Sequence, residues 1–142
     1  MDVQTSYLNC RLAIADCRLG RYFRNMNPIE LKARTKTFAL RVIKMSRAIP
    51  KYDDAGRIIA KQILRSGTSV AANYRASCRA RSQAEFISKI GTVEEESDET
   101  ALWLELLTES GILSAKKLSA LLEEANELTA IMAASRKTAS GK

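Results

Sequence analysis

The sequence predicts an all-α protein, an antiparallel up-down-up-down four-helix bundle, on three observations. Only two prolines and six glycines interrupt 142 residues. Ala, Leu, Glu, Lys and Arg, which enter a helix at little cost in backbone or rotamer freedom, are abundant. Apolar residues recur at steps of three and four along four successive stretches joined by short polar segments, the pattern of antiparallel neighbours in a bundle. No strand pattern competes. A chain of this length fits one domain and buries about two-thirds of its unfolded surface, enough for a core without metal or disulfide.

Residues 1–27 form an N-terminal extension with no sustained helical period. It is either weakly structured or lies upstream of a natural start at Met26, and no function is assigned to it. The bundle is expected over residues 28–136. Its first helix opens at Asn27-Pro28-Ile29-Glu30, where Asn caps, Pro fits the first helical position and Glu reaches back to the cap. Leu31, Phe38, Val42, Met45 and Ile49 follow at helical spacing, and Pro50 ends the helix.

A turn at Lys51-Tyr52-Asp53-Asp54 leads into the second helix, which carries Ile59, Ile63, Val70, Tyr74 and Cys78 on one stripe. Its middle, Ser66-Gly67-Thr68-Ser69, is poor helix-forming sequence. Either small side chains let another backbone come close there, or the helix kinks or breaks. Ser82-Gln83-Ala84-Glu85 has the capping-box pattern and opens the third helix, with a seam of Phe86, Ile90, Val93, Ser97, Thr100, Leu104 and Leu107. Gly111 is a natural terminator. The fourth helix starts near Ser114 and carries Leu118, Leu121, Ala125, Leu128 and Met132; residues 137–142 are read as a frayed tail.

Several function classes are excluded or disfavoured by composition. Without histidine there is no Ser–His or Cys–His nucleophile pair, nor the commonest general base near neutral pH. The three cysteines, Cys10, Cys17 and Cys78, lack paired spacing, so no metal site is expected. Glu94-Glu95-Glu96 cannot converge on an ion, because consecutive helix positions splay about 100° apart. No catalytic residue, cofactor or small-molecule substrate is expected, and the chain is read as no enzyme. With no signal core and no apolar run near the roughly 20 residues that span a bilayer, the reading is a cytoplasmic protein without a membrane partner.

The net charge of +7 is segregated along the chain. Residues 28–50 hold six basic groups against one acid, and residues 51–81 seven against two. Residues 82–111 hold one lysine against eight acids. The third helix also has more apolar residues than one seam needs. Leu102 and Leu106 fall opposite its core stripe and Trp103 on the flank, among Glu95, Asp98, Glu99, Glu105 and Glu109. Such a patch marks an interface between copies of the chain, unless a loop or the N-terminal extension covers it.

The run from Gln62 to Ala76, Gln62-Ile63-Leu64-Arg65-Ser66-Gly67-Thr68-Ser69-Val70-Ala71-Ala72-Asn73-Tyr74-Arg75-Ala76, resembles the signature of the bacterial four helix bundle protein family. That family is also called the 23S ribosomal RNA intervening-sequence protein family. The arginines and Ser82 that follow, and Glu85-Phe86 opening the third helix, continue the likeness, which spans about residues 28–135. The resemblance implies an antiparallel four-helix bundle, often a homopentamer. A related branch, the accessory proteins of diversity-generating retroelements, associates with reverse transcriptase and nucleic acid. The common form continues A-N-I-x-E-G, whereas Ala72-Asn73-Tyr74-Arg75-Ala76 stands here, so a role that depends on that acid does not transfer.

The nucleic-acid-binding candidates are Arg75, Arg79 and Arg81, with Tyr74 beside them as a base-stacking ring, and Lys32, Lys36, Arg41 and Lys44 of the first helix. Arg34 and Arg47 add to that basic helix. No base-reading motif is recognisable, so binding to RNA or DNA would be driven by phosphate. Asn73 and Gln62 are read as structural amides that fix helix register. Two readings stand: an oligomeric nucleic-acid accessory protein, or a protein–protein scaffold whose charged faces serve only assembly.

Overall fold

The computed structural model describes residues 27–141. Four helices follow one another, α1 (Pro28–Ser46), α2 (Asp54–Ser77), α3 (Gln83–Glu109) and α4 (Ala115–Ala139), and no strand occurs among the described residues. The start of α1 is a complete capping box. The Glu30 amide donates to Asn27 Oδ1 at 2.9 Å, and the Asn27 amide donates to the Glu30 carboxylate at 3.0 Å. The regular helix stops at Ser46, four residues before Pro50. Its last turn tightens into three-residue bonds, Ala48 N to Met45 O and Ile49 N to Ser46 O, which lets Ile49 fold back into the core before the proline.

Asp53 caps α2 through the Gly56 amide at 2.6 Å. The helix runs unbroken through Ser66–Ser69, so close approach, not a kink, accounts for the small residues. At α3 the capping box is half formed. Ser82 accepts from the Glu85 amide, but the Glu85 carboxylate accepts from the Arg81 amide, one residue further out, at 2.8 Å. Ser114 begins α4 without a side-chain bond. The expected fraying after Arg136 does not occur. The helix continues to Ala139 and closes on Gly141 in the left-handed region, while Gln83 of α3 donates to the Ala139 carbonyl.

Consecutive helices pack against one another, and α1 meets α4 more lightly. Every residue of the α3 and α4 seams read from the sequence is buried, as are Leu31, Phe38, Val42 and Ile49 of α1 and Ile63, Val70, Tyr74 and Cys78 of α2. Met45 and Ile59 pack at its edge. The α1–α2 seam is the tightest. A Cβ on Gly67 would lie 2.7 Å from Val42 Cγ1 and 3.0 Å from Val42 Cβ, and one on Gly56 would lie 2.8 Å from Ile49 Cγ2. The preceding residue, Ser66, is fully buried and its hydroxyl hydrogen-bonds that of Thr100 on α3 at 2.8 Å.

Gly67→Ala should therefore destabilise the bundle. The gain in helix propensity, about 1 kcal/mol, is outweighed by overpacking against Val42, about 1–3 kcal/mol. In urea melts, Val42→Ala should absorb that cost, giving a coupling energy of at least about 0.5 kcal/mol. Strictly additive effects would mean that the two helices do not meet at this point.

Candidate nucleic-acid interface

Three arginines are spent on the seams between helices. Arg34 of α1 forks onto Glu124 of α4, Nε to Oε1 at 2.7 Å and Nη2 to Oε2 at 2.8 Å, and also reaches Glu127. Arg65 of α2 pairs with Glu99 and, at 3.5 Å, with Glu96 of α3. Arg136 of α4 forks onto Glu94 of α3 at 2.6 and 3.2 Å. Hydrogen bonds donated to carboxylates hold all three guanidiniums above their ordinary range: to Glu124 from Arg34, to Glu99 from Arg65, to Glu94 from Arg136. The run Glu94-Glu95-Glu96 thus diverges as its spacing requires, Glu94 towards α4, Glu96 towards α2 and Glu95 to solvent.

The sequence-derived candidates are divided by this allocation. Arg34 is a seam residue, and Arg81 lies within 3.5 Å of Glu85 as an exposed ion pair. Lys36, Arg41, Lys44, Arg75 and Arg79 have no acid partner among the described residues, and neither do Arg47, Lys51 and Lys61. Lys32 is half-buried. These cations do not form one cluster. The Val42–Gly67 and Ile49–Gly56 contacts fix the antiparallel register of α1 and α2. That register sets Lys32, Lys36 and Arg75 towards one end of the bundle and Lys44, Arg47 and Lys61 towards the other. Arg79 stands beyond the α2 cap at Cys78, in a tight turn closed by Arg79 N to Ala76 O at 3.0 Å, not on a regular helix face with Arg75.

Tyr74 is corrected outright. It is 1% exposed and belongs to the core, so it offers no ring to a base. The reason was already in its position on the apolar stripe of α2, where burial outweighs any surface role. The exposed aromatic is Tyr52, 88% accessible in the α1–α2 turn. Asn73 and Gln62 do not fix register between helices. Asn73 donates to the carbonyl and hydroxyl of Ser69, one turn back on α2, and Gln62 lies 3.5 Å from Arg65 on the same helix. A hydrogen bond that does cross helices inside the core, from the Thr100 hydroxyl to that of Ser66, joins two small buried residues.

On α3, Leu102 is 48% and Leu106 38% exposed, among exposed Glu95, Asp98, Glu105 and Glu109. Trp103 is more withdrawn. It packs against the edge of the core, and its indole N–H donates to Glu99 at 3.2 Å. Burial pushes the Glu99 carboxyl up, but the bonds from Arg65 and Trp103 outweigh it and leave Glu99 below the usual range. The Arg81 amide lowers Glu85 in the same way. Among the described residues, no group of histidine, cysteine, aspartate or glutamate side chains is arranged to hold a metal ion, and no helix is long and apolar enough to cross a membrane. Cys10 and Cys17 lie outside the described residues, as does everything read from residues 1–26.

Both depressed carboxylates stabilise the folded state when ionised. That contribution is complete above the unfolded value, near pH 4.3 for Glu, and is lost as pH falls through the lower folded values. The thermal midpoint should therefore drop between about pH 5 and pH 3. Glu99→Gln should flatten part of that drop in a matched pair of thermal melts. Parallel curves for the two proteins would show that the Arg65–Glu99–Trp103 contact contributes nothing.

No curated protein matches the chain. Among solved structures, it is similar to a crystal structure from Bacteroides thetaiotaomicron, a protein of unknown function from the S23 ribosomal protein family. The two are 30% identical with a TM-score of 0.67, over 72% of this chain and 94% of that one. The family model described as 23S rRNA-intervening sequence protein matches residues 28–134, which is the whole of α1 to α3 and nearly all of α4. The signature residues from Gln62 to Asn73 sit at the centre of that match, so the chain belongs to the 23S rRNA-intervening sequence protein family.

Proposed function

We propose that this chain is a non-enzymatic, homo-oligomeric protein that associates with nucleic acid through the basic side of α1 and α2, as an accessory to an RNA or DNA or to an enzyme acting on one, such as a reverse transcriptase. The observation that supports this best is the set of cations on α1, α2 and their turns that have no acid partner, while the acids gather on α3. Cations of this kind neutralise phosphates and release counterions, and they need no reading of bases. The family's description names 23S rRNA and the Bacteroides relative's names a ribosomal protein family, which makes RNA the first polymer to test.

Self-association is supported by Leu102 and Leu106, apolar side chains left in water within a rim of carboxylates. The basic side of a second copy complements that rim in charge. Because the two faces differ, such a contact is heterologous and closes into a ring when its rotation permits. The family resemblance suggests five subunits. Size exclusion with light scattering at micromolar concentration should show an oligomer, and Leu106→Glu should weaken it without loss of helical signal. The mass of a single chain for the unaltered protein would remove this part of the reading.

Affinity for RNA should fall steeply between about 50 and 200 mM salt and vary little with sequence. Changing Arg75 and Arg79 together to Ala should lower the salt slope by up to about two units, one for each phosphate released. The competing scaffold reading draws on the same acidic face: the arginines then pair with Glu95, Asp98 or their neighbours on an adjoining copy. In that case the double variant disturbs oligomer size, and the intact protein shows no salt-sensitive binding. Filter binding with oligomer size followed in parallel separates the two.

A further inference from the structure

We infer that the α1–α2 turn, with Tyr52 at its tip and Arg47, Lys51 and Lys44 around it, is a docking point for single-stranded nucleic acid in which one unpaired base stacks on the Tyr52 ring. The inference rests on the proposed association with nucleic acid and adds the form of the polymer and the place of contact.

Tyr52 is the most exposed large apolar side chain among the described residues, at 88%, and lies off every core stripe. The turn that carries it is rigidly built. Pro50 fixes one backbone angle, its carbonyl accepts from the Asp53 amide at 3.2 Å, and Ile49 and Gly56 anchor the two sides in the α1–α2 seam. A ring on a fixed turn loses little freedom when it binds, unlike one on a loose loop. Nothing in the fold needs the ring there.

The charges around it are sorted in a way that suits a phosphate chain. Lys44 and Arg47 lie one turn apart at the end of α1, and Lys51 precedes the ring; all three are exposed and none has an acid partner among the described residues. The two nearby acids are already engaged. Asp54 pairs with Arg57, and Asp53 caps α2 through the Gly56 amide. A strand can therefore run along the lysines and arginine past two carboxylates that are already hydrogen-bonded, one of them paired with Arg57, and a flipped base finds an exposed aromatic face in the same turn. Such a pairing of cations with a stacking ring is how single strands are held without regard to sequence. A duplex, whose bases are already stacked, gains only the phosphate contacts.

Fluorescence anisotropy at 50 mM salt with the full chain tests this on three probes: a uridine 20-mer, a strand of equal length without bases, and an RNA duplex. Tyr52→Ala should weaken binding of the uridine strand by about tenfold, the scale of one stacked base. It should leave the abasic strand, the duplex and the salt slope unchanged, and Tyr52→Phe should restore the loss. Lys51→Ala should instead lower the salt slope on all three probes. Salt-sensitive binding by the unaltered protein with no effect of Tyr52→Ala on the uridine strand overturns this inference and leaves the proposed function standing. Equal losses on all three probes also overturn it, because stacking cannot act on a strand without bases. Absence of any binding by the unaltered protein removes the proposed function and this inference with it.

Discussion

One turn of α2 governs the arrangement of the rest. Gly67 presents bare backbone to Val42 of α1, and Ser66 beside it hydrogen-bonds Thr100 of α3 in a site closed to water. The first contact is a distance constraint, because any side chain at Gly67 would push α1 outward. The second joins two buried hydroxyls across the α2–α3 seam, each also within hydrogen-bond distance of a carbonyl of its own helix. Together they hold α1 and α3 on two sides of α2 at fixed heights. The basic outer faces of α1 and α2 become neighbours in consequence, and the acidic outer face of α3 points elsewhere.

The same turn clarifies what the family signature reports. Ile63 and Val70 fill the core, Arg65 crosses to Glu96 and Glu99, Ser66 bonds Thr100, and Ser69 accepts from Asn73. These residues of the likeness have a packing or hydrogen-bonding task in this chain. The signature therefore marks the bundle and leaves the surface free to differ, which is why the basic continuation at Arg75 is compatible with it. Solvent-screened ion pairs such as Arg65–Glu99 and Arg136–Glu94 add little stability. Their larger effect is on the surface charge. They use up Arg65 of α2 and Arg136 of α4 against the acids of α3, while Lys36, Arg41, Lys44 and Arg47 along and just after α1 keep no acid partner among the described residues.

The helices and their seams were legible in the sequence because burial repeats with the period of the helix, and every member of the α3 and α4 seams is in the core. What was not legible involves choices between partners of equal chemistry. Arg34 and Lys36 look alike as letters, yet only Arg34 faces Glu124, and that follows from which flank of α1 lies beside α4. Tyr74 was open to two readings, stripe residue and stacking ring, and the stripe prevailed because the ring is worth more in the core than in water. Tyr52 drew no attention as a turn residue, although its absence from every stripe was the signal that it is exposed. Ends were the least legible. The regular part of α1 stops four residues before Pro50, and α4 runs into its polar tail as far as Ala139, whose carbonyl accepts from Gln83 of α3.

These placements bear on how assembly and nucleic-acid binding can share one surface. The cations form two groups by position. Lys36 and Lys61 stand on the sides of the helices, where a neighbouring bundle with its acidic α3 face would cover them, whereas Arg75 lies in the last turn of α2. Arg47 and Lys51 sit in the turn at one end of the bundle, and Arg79 in the turn at the other. A side-by-side contact buries helix flanks and leaves bundle ends in solvent. In the proposed oligomer, assembly would neutralise the first group against carboxylates and set the second group out repeatedly around the ends, one turn per copy. A strand that touches several copies gains from each without needing any single turn to bind tightly. The proposed oligomer and the proposed phosphate binding would then compete for few of the same side chains. The rivalry is confined to the flanks, and the turn with Tyr52 at its tip lies outside it.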